Sequence, residues 1–235
     1  RDPKLFDRYR KCLFNGVARY NRRGIRARSW LYKKEIQENP IVSMTLDDAI
    51  KNSALILPEH KAEFTKYLEK LPDGIEKWLY LGSIADPASV YQGDILLDIP
   101  VCLTDDDGNA VAGRDMVALI SNTCDMQSAR QDFVTVCPIV SFDELRQNIE
   151  NHKLESLLHD VRNNRIFRYF YLPPSDNLSE SYIDFSRMVS ISNIYLNDIK
   201  TGKPQQCILS LSPYGFYFFL VKLTYHLARM ETQTN

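Results

Sequence analysis

Between Tyr91 and Ser141, three apolar runs of Val, Ile and Leu are separated by turn chemistry, and few folds accept that pattern. The runs are Ile95 to Leu103, Met116 to Ile120 and Phe133 to Val140. Each is short for a helix and rich in β-branched residues, which predicts consecutive antiparallel strands over 94–103, 115–121 and 133–140. Between the first two, Thr104-Asp-Asp-Asp-Gly-Asn109 supplies residues that tolerate the positive φ of a tight reversal. Gly93-Asp94 opens the first strand, and Ser121-Asn-Thr-Cys-Asp125 ends the second. Three such strands begin a small β-barrel, and the rest of the chain is expected to wrap it.

At 235 residues the chain has room for one or two domains and a substantial core. With 44% hydrophobic and 25% charged residues it reads as an ordinary globular protein, not a disordered or fibrous one. No apolar stretch reaches the ~18–20 residues that span a bilayer, so no membrane contact is expected. The longest candidate, Tyr214 to Leu223, is interrupted by Lys222. The N-terminus is charged throughout, so no signal peptide is read there. It begins at Arg1 without Met, which suggests a fragment or processed product. Five cysteines, an odd number without CxxC spacing, argue against a disulfide scaffold or zinc knuckle and favour a reducing cytoplasm. The four histidines do not cluster with them, and neither metal nor cofactor is expected.

Net charge hides an asymmetry. Residues 1–34 carry twelve Lys and Arg against two Asp. Removing these from the totals of 29 basic and 30 acidic residues leaves seventeen and twenty-eight for the remainder. The basic segment has apolar residues at helical spacing (Leu5, Phe6, Tyr9, Leu13, Val17, Tyr20), with Arg19, Arg22 and Arg23 on the other face. A second helix is expected from Ile25 to Ile36, carrying Arg26, Arg28, Trp30 and Tyr32. Arginines mixed with aromatics suit single-stranded nucleic acid or a partner surface. The competing reading is a solvated helix face paired with the acidic body.

A helix from Thr45, another from Pro58 to Leu71 and a last piece from Ile75 to Leu81 complete a helical module over 1–85. A second domain is expected over 90–235. In it, Ser141 caps a helix running to Val161, and Ile166–Leu172 and Tyr182–Ile191 form strands. Thr201-Gly-Lys-Pro204 makes a turn, and Ser212-Pro213 starts a terminal helix reaching about Met230. That helix bears Tyr214, Phe216, Tyr217, Phe218 and Phe219, and something must cover so apolar a circumference.

Taken together, the Gly93-Asp94 strand start, Arg114 before a strand ending in Ser121, and the third strand's Pro138-Ile-Val-Ser141 resemble the MazF/PemK toxins. Those are small SH3-like barrels that cleave RNA without a metal. Ile183 to Ser192, followed by Leu196, is similar to the strand and turn near the end of that barrel. The resemblance covers about residues 91–230. It implies an α+β fold: an N-terminal helical module, then an SH3-like antiparallel β-barrel with an inserted helix and a C-terminal helix.

In that family an Arg before the second strand and a Thr or Ser ending the third form the cleaving site. Arg holds a phosphate through two hydrogen bonds, and a neighbouring hydroxyl stabilises developing charge while the RNA 2′-OH attacks. Arg114 matches the first position. Val140 falls on the second, and Ser141 follows one residue later. A one-residue slip reverses the face, so Ser141 can serve only if the strand ends or bulges there. Asp115 stands where the family usually has Pro, and its carboxylate would repel phosphate or pair with Arg114.

The resemblance therefore implies a bacterial toxin–antitoxin or phage-defence protein whose barrel binds RNA or a protein partner, with cleavage weak or lost. One alternative is an active metal-independent endoribonuclease using Arg114 and Ser141. The other is a regulatory module that sequesters a protein. A homodimer or hetero-complex fits any of these. Further binding candidates are Gly93, Asp94, Ser121, Thr123, Cys124 and Asp125. Cys124 is a nucleophile only if His152, His159 or His226 meets it in the fold. The plainer reading buries Cys124 and has Asp125 cap the next turn.

Overall fold

The computed structural model describes residues 50, 53, 56–83, 89–105, 107–127, 131–148, 152–202 and 207–228. The basic segment, its expected helices and most of the helix expected from Thr45 lie outside these residues.

The three apolar runs form three consecutive antiparallel strands: β1 (Ile95–Thr104), β2 (Ala110–Leu119) and β3 (Phe133–Ser141). Asp105 organises the β1–β2 turn, its Oδ1 accepting from the backbone N–H of Asp107 and Asn109, and Gly108 takes φ 80°. β2 begins earlier than the sequence predicts, because Ala110 to Gly113 pair with Val101 to Thr104 across the hairpin. Arg114 thus lies inside β2, not ahead of it.

The stretch expected as one strand over 182–191 is two. β4 (Tyr169–Leu172) pairs with β5 (Ser181–Asp184); a 3₁₀ turn over Phe185–Arg187 follows, then β6 (Val189–Ser192). Both β5 and β6 pair with β3, so the segment 181–192 does join the sheet. The interruption has a local cause: the Asp184 carboxylate accepts from the Ser186 N–H and bends the chain. Likewise Ile166 to Arg168 form a turn, Tyr169 N–H donating to Ile166 C=O, so β4 is shorter than the predicted 166–172.

With β7 (Cys207–Leu209) against β1, the seven strands make a curled antiparallel sheet, six of them in the order β4-β5-β3-β2-β1-β7 and β6 joined to β3 off that path. Alternation along the strands divides the apolar residues between two cores. Leu96, Ile99, Val117, Leu119, Val136 and Ile191 form the core enclosed by β1, β2, β3 and β6. Ile95, Ala118, Cys137 and Ile139 face the other way, into a core shared with the helices.

The helices are α1 (Pro58–Leu68), α2 (Thr123–Gln127), α3 (Phe142–Asn148), α4 (His152–Arg162), α5 (Asn193–Gly202) and α6 (Pro213–Leu227). The helix expected from Ser141 to Val161 is thus two described segments. α5 occupies the place of the turn expected at Thr201-Gly202. Its Asn193 is tied back, the N–H to Asp132 C=O and the side-chain amide to Gln131 C=O.

α6 starts where Ser212 and Pro213 predict. The Ser212 hydroxyl accepts from Gly215 N–H at 3.0 Å and donates to Trp78 C=O. Gly215 is required by the packing, since a Cβ there would stand 2.1 Å from Leu79 O. The segment 58–81 is thereby locked to α6, with Phe64, Trp78 and Phe218 in mutual ring contact. These residues cover the aromatic helix.

One residue of that core is a lysine. Lys222 is fully buried, and its Nζ reaches Asn164 Oδ1 at 3.0 Å and Asn164 O at 3.3 Å. Both partners are neutral, so burial pushes the ammonium well below the usual lysine range. An unfolded lysine keeps its proton up to about pH 10.4. Across that window the unfolded chain binds more protons, and stability rises with pH. Lys222→Met is expected to raise the urea midpoint. Its gain over the parent should shrink as the pH rises from about 7 toward about 10. A variant less stable at every pH would contradict this.

Candidate functional site

Asp98 sits in a β-bulge of β1, where the register with β2 shifts between Leu96 and Ile99. Its φ is 58°, a left-handed conformation that Asp tolerates better than most residues. A bulge re-aims the side chain at that point, and here it turns Asp98 toward β2. Arg114 Nε donates to Asp98 Oδ1 and Nη2 to Asp98 C=O, both at 2.5 Å, and Nη2 also reaches Tyr195 Oη at 3.1 Å. The Asp98 contact raises the guanidinium pKa further, so Arg114 stays charged. Side-chain exposure is 44% for Arg114 and 58% for Asp98, so the pair contributes about 0–1 kcal/mol at most. Its role is geometric: it fixes a guanidinium at the surface.

Ser141 is elsewhere bonded. β3 does end there, as a functional hydroxyl would require. However, Ser141 Oγ lies 3.4 Å from Ser179 Oγ and accepts from Asp143 N–H at 3.2 Å, capping α3 as the sequence predicts. Continuing the β2–β3 register would set Arg114 opposite Ser141. The ladder instead stops at Val117–Pro138, three residues short of both. Val140 is buried and paired with Tyr182. The structure therefore does not join Arg114 with a third-strand hydroxyl. Nor does Asp115 pair with Arg114 in the way the sequence suggests. The carboxylate bonded to Arg114 is that of Asp98, while Asp115 Oδ1 accepts from Met116 N–H.

The remaining candidates split into two outcomes. Gly93, Asp94, Ser121 and Thr123 do meet, at the C-terminal end of β2. Gly93 N–H donates to Leu119 C=O and Thr135 N–H to Ser121 Oγ, while Gln92 N–H donates to Thr123 Oγ1. Asp94 is buried and accepts from Tyr91 N–H at 2.8 Å. Burial raises its carboxyl pKa, and that hydrogen bond partly offsets the rise. These contacts lock the strand ends together.

Cys124 is exposed, contrary to the expectation of a buried thiol. Asn122, rather than Asp125, caps the short α2, accepting from Cys124 N–H at 2.9 Å. His159 Nε2 lies 3.3 Å from the Asn163 side chain, and His226 lies against Phe185. Arg19, Arg22, Arg23, Arg26 and Arg28 lie outside the described residues.

Sequence reasoning missed Asp98 and Tyr195. The signal for Asp98 was present: it is the one charge inside the run Ile95 to Leu103. A charge there, breaking the alternation, marks a bulge. Nothing local to Tyr195 distinguished it from the chain's other twelve tyrosines.

Leu97, Phe133 and Ile194 are exposed apolar side chains beside this cluster in chain or ladder. Leu97 precedes Asp98, Ile194 precedes Tyr195, and Phe133 pairs with Ser192. Among the described residues, no His, Cys, Asp and Glu side chains are grouped to hold a metal ion. None of the described helices is long and apolar enough to cross a membrane. No family model matches the chain, and a search of curated proteins returns no match.

The Gly93–Thr123 cluster is expected to matter for stability. Gly93 has φ 91°, and a Cβ there would meet Leu211 Cδ1 at 2.6 Å. Gly93→Ala should cost roughly 1–3 kcal/mol in urea unfolding. Thr123→Ala should cost about 1 kcal/mol through the lost Gln92 bond.

Proposed function

We propose that this chain carries a MazF/PemK-like barrel that binds a protein partner and does not cleave RNA, in a toxin–antitoxin or defence-type setting. The curled antiparallel sheet is compatible with such a barrel. The observation that carries the reading is the state of Arg114. Its guanidinium is held by Asp98 and Tyr195 at the surface, while the Ser141 hydroxyl is bonded to Ser179. Cleavage needs a donor placed on the developing charge, and losing one typically costs about 10²–10³ in rate. A phosphate approaching Arg114 would also meet the Asp98 carboxylate.

A protein surface fits better. Arg and Tyr are the residue types that anchor protein interfaces, and the exposed apolar residues Leu97, Phe133 and Ile194 are near neighbours of this cluster in chain or ladder. Residues 35–235 are acidic overall, which disfavours a polyanion on this body.

The test pairs the parent with Arg114→Ala on a mixed RNA pool in EDTA. No cleavage by either is expected. Affinity capture on the parent should recover a partner that both Arg114→Ala and Phe133→Asp lose while remaining folded. Robust cleavage that disappears in Arg114→Ala would overturn the reading in favour of the endoribonuclease. Salt-sensitive RNA binding lost in the same variant would make RNA the partner.

A further inference from the structure

Backbone direction along β2 follows from its hydrogen bonds. Leu119 N–H donates to Asp94 C=O, on the β1 side, whereas Ile120 N–H donates to Thr135 C=O, on the β3 side. The register shift lies in β1 and β2 is unbroken, so the alternation holds along it. The N–H and C=O groups of Ala110, Ala112, Arg114 and Met116 therefore point away from β1. Pro100 fits this parity, since it lies opposite Arg114 and has no N–H to give. β3 covers only Val117 to Leu119. Among the described residues, Ala110, Ala112 and Arg114 have no partner on this side. At Met116 the edge is closed, because Asp115 Oδ1 takes that N–H at 2.9 Å.

An open strand edge is a template for another strand. We propose that Ala110–Arg114 pairs antiparallel with the same edge of a second copy of this chain, about a two-fold axis at Ala112. The edge is self-complementary in that register, as an isologous contact requires. Ala112 meets the partner's Ala112, and Ala110 meets the partner's Arg114. That gives three hydrogen-bonded pairs and about six bonds, all from groups without a partner among the described residues. A register centred on Gly113 would call on Met116, whose N–H is already used. Small side chains at Ala110, Ala112 and Gly113 leave the approach clear. The register also brings each Arg114 beside the partner's acidic turn, with its Asp105 and Asp107, and among the described residues the Arg114 Nη1 donors have no other acceptor.

Sedimentation from micromolar to millimolar protein tests this. The mass should climb from 27.2 kDa toward twice that value. Ala112→Pro removes the central N–H without touching the β1 ladder, and it should remain monomeric with an unchanged circular dichroism spectrum. Because that variant can fail to fold, amide exchange of the parent gives a second reading. The Ala112 and Arg114 amides should slow as concentration rises, while those of Val111 and Gly113 stay constant. A parent monomeric throughout, a folded Ala112→Pro that dimerises equally, or an Ala112 amide whose exchange ignores concentration would each overturn the proposal.

Discussion

The contact between Arg114 and Asp98 decides what this surface can do. It contributes little to stability, because both groups are largely in water. Its effect is on availability. An Arg free at a strand edge can take a phosphate in a bidentate grip, whereas one already committed to a carboxylate and a carbonyl offers fewer donors and a mixed charge. The β1 bulge makes this arrangement, since without the extra residue Asp98 would not be turned toward β2.

The same constraint organises the sheet around it. β2 and β3 part beyond Val117–Pro138, and β3 hands its last residues to β5. Separation of those strands keeps the Ser141 hydroxyl with Ser179 and, among the described residues, leaves the β2 edge before Val117 without a partner strand. Arg114 bridges instead toward Tyr195 on α5, tying β2 to the segment after β6. The core, meanwhile, is anchored at the other end, where Asp94, Ser121 and Thr123 fasten the strand ends and α6 packs on Leu79.

Much of the sheet was legible because β-branched runs between Asp/Gly/Asn turns leave few choices. The same was true of α6, where Ser212 and Pro213 announce a helix start. Legibility failed where a tertiary contact overrides a local pattern. The Asp184 turn splits a strand that reads as continuous, and pairing with β1 extends β2 back over Ala110 to Gly113, residues with weak strand preference. At the candidate site, Arg114 stood out from sequence, but its neighbour did not. Spacing places residues along a chain, and only the bulge places Asp98 rather than Ser141 beside it.

The most direct measurement is nuclear magnetic resonance of the Arg114 side chain. If Asp98 holds the guanidinium, the Arg114 Nε–H should exchange slowly with solvent and be perturbed by Asp98→Asn. It should also show proximity to the Tyr195 ring and none to Ser141. A rapidly exchanging Nε–H indifferent to Asp98→Asn, with proximity to Ser141, would contradict the account and restore a pairing of Arg114 with a hydroxyl.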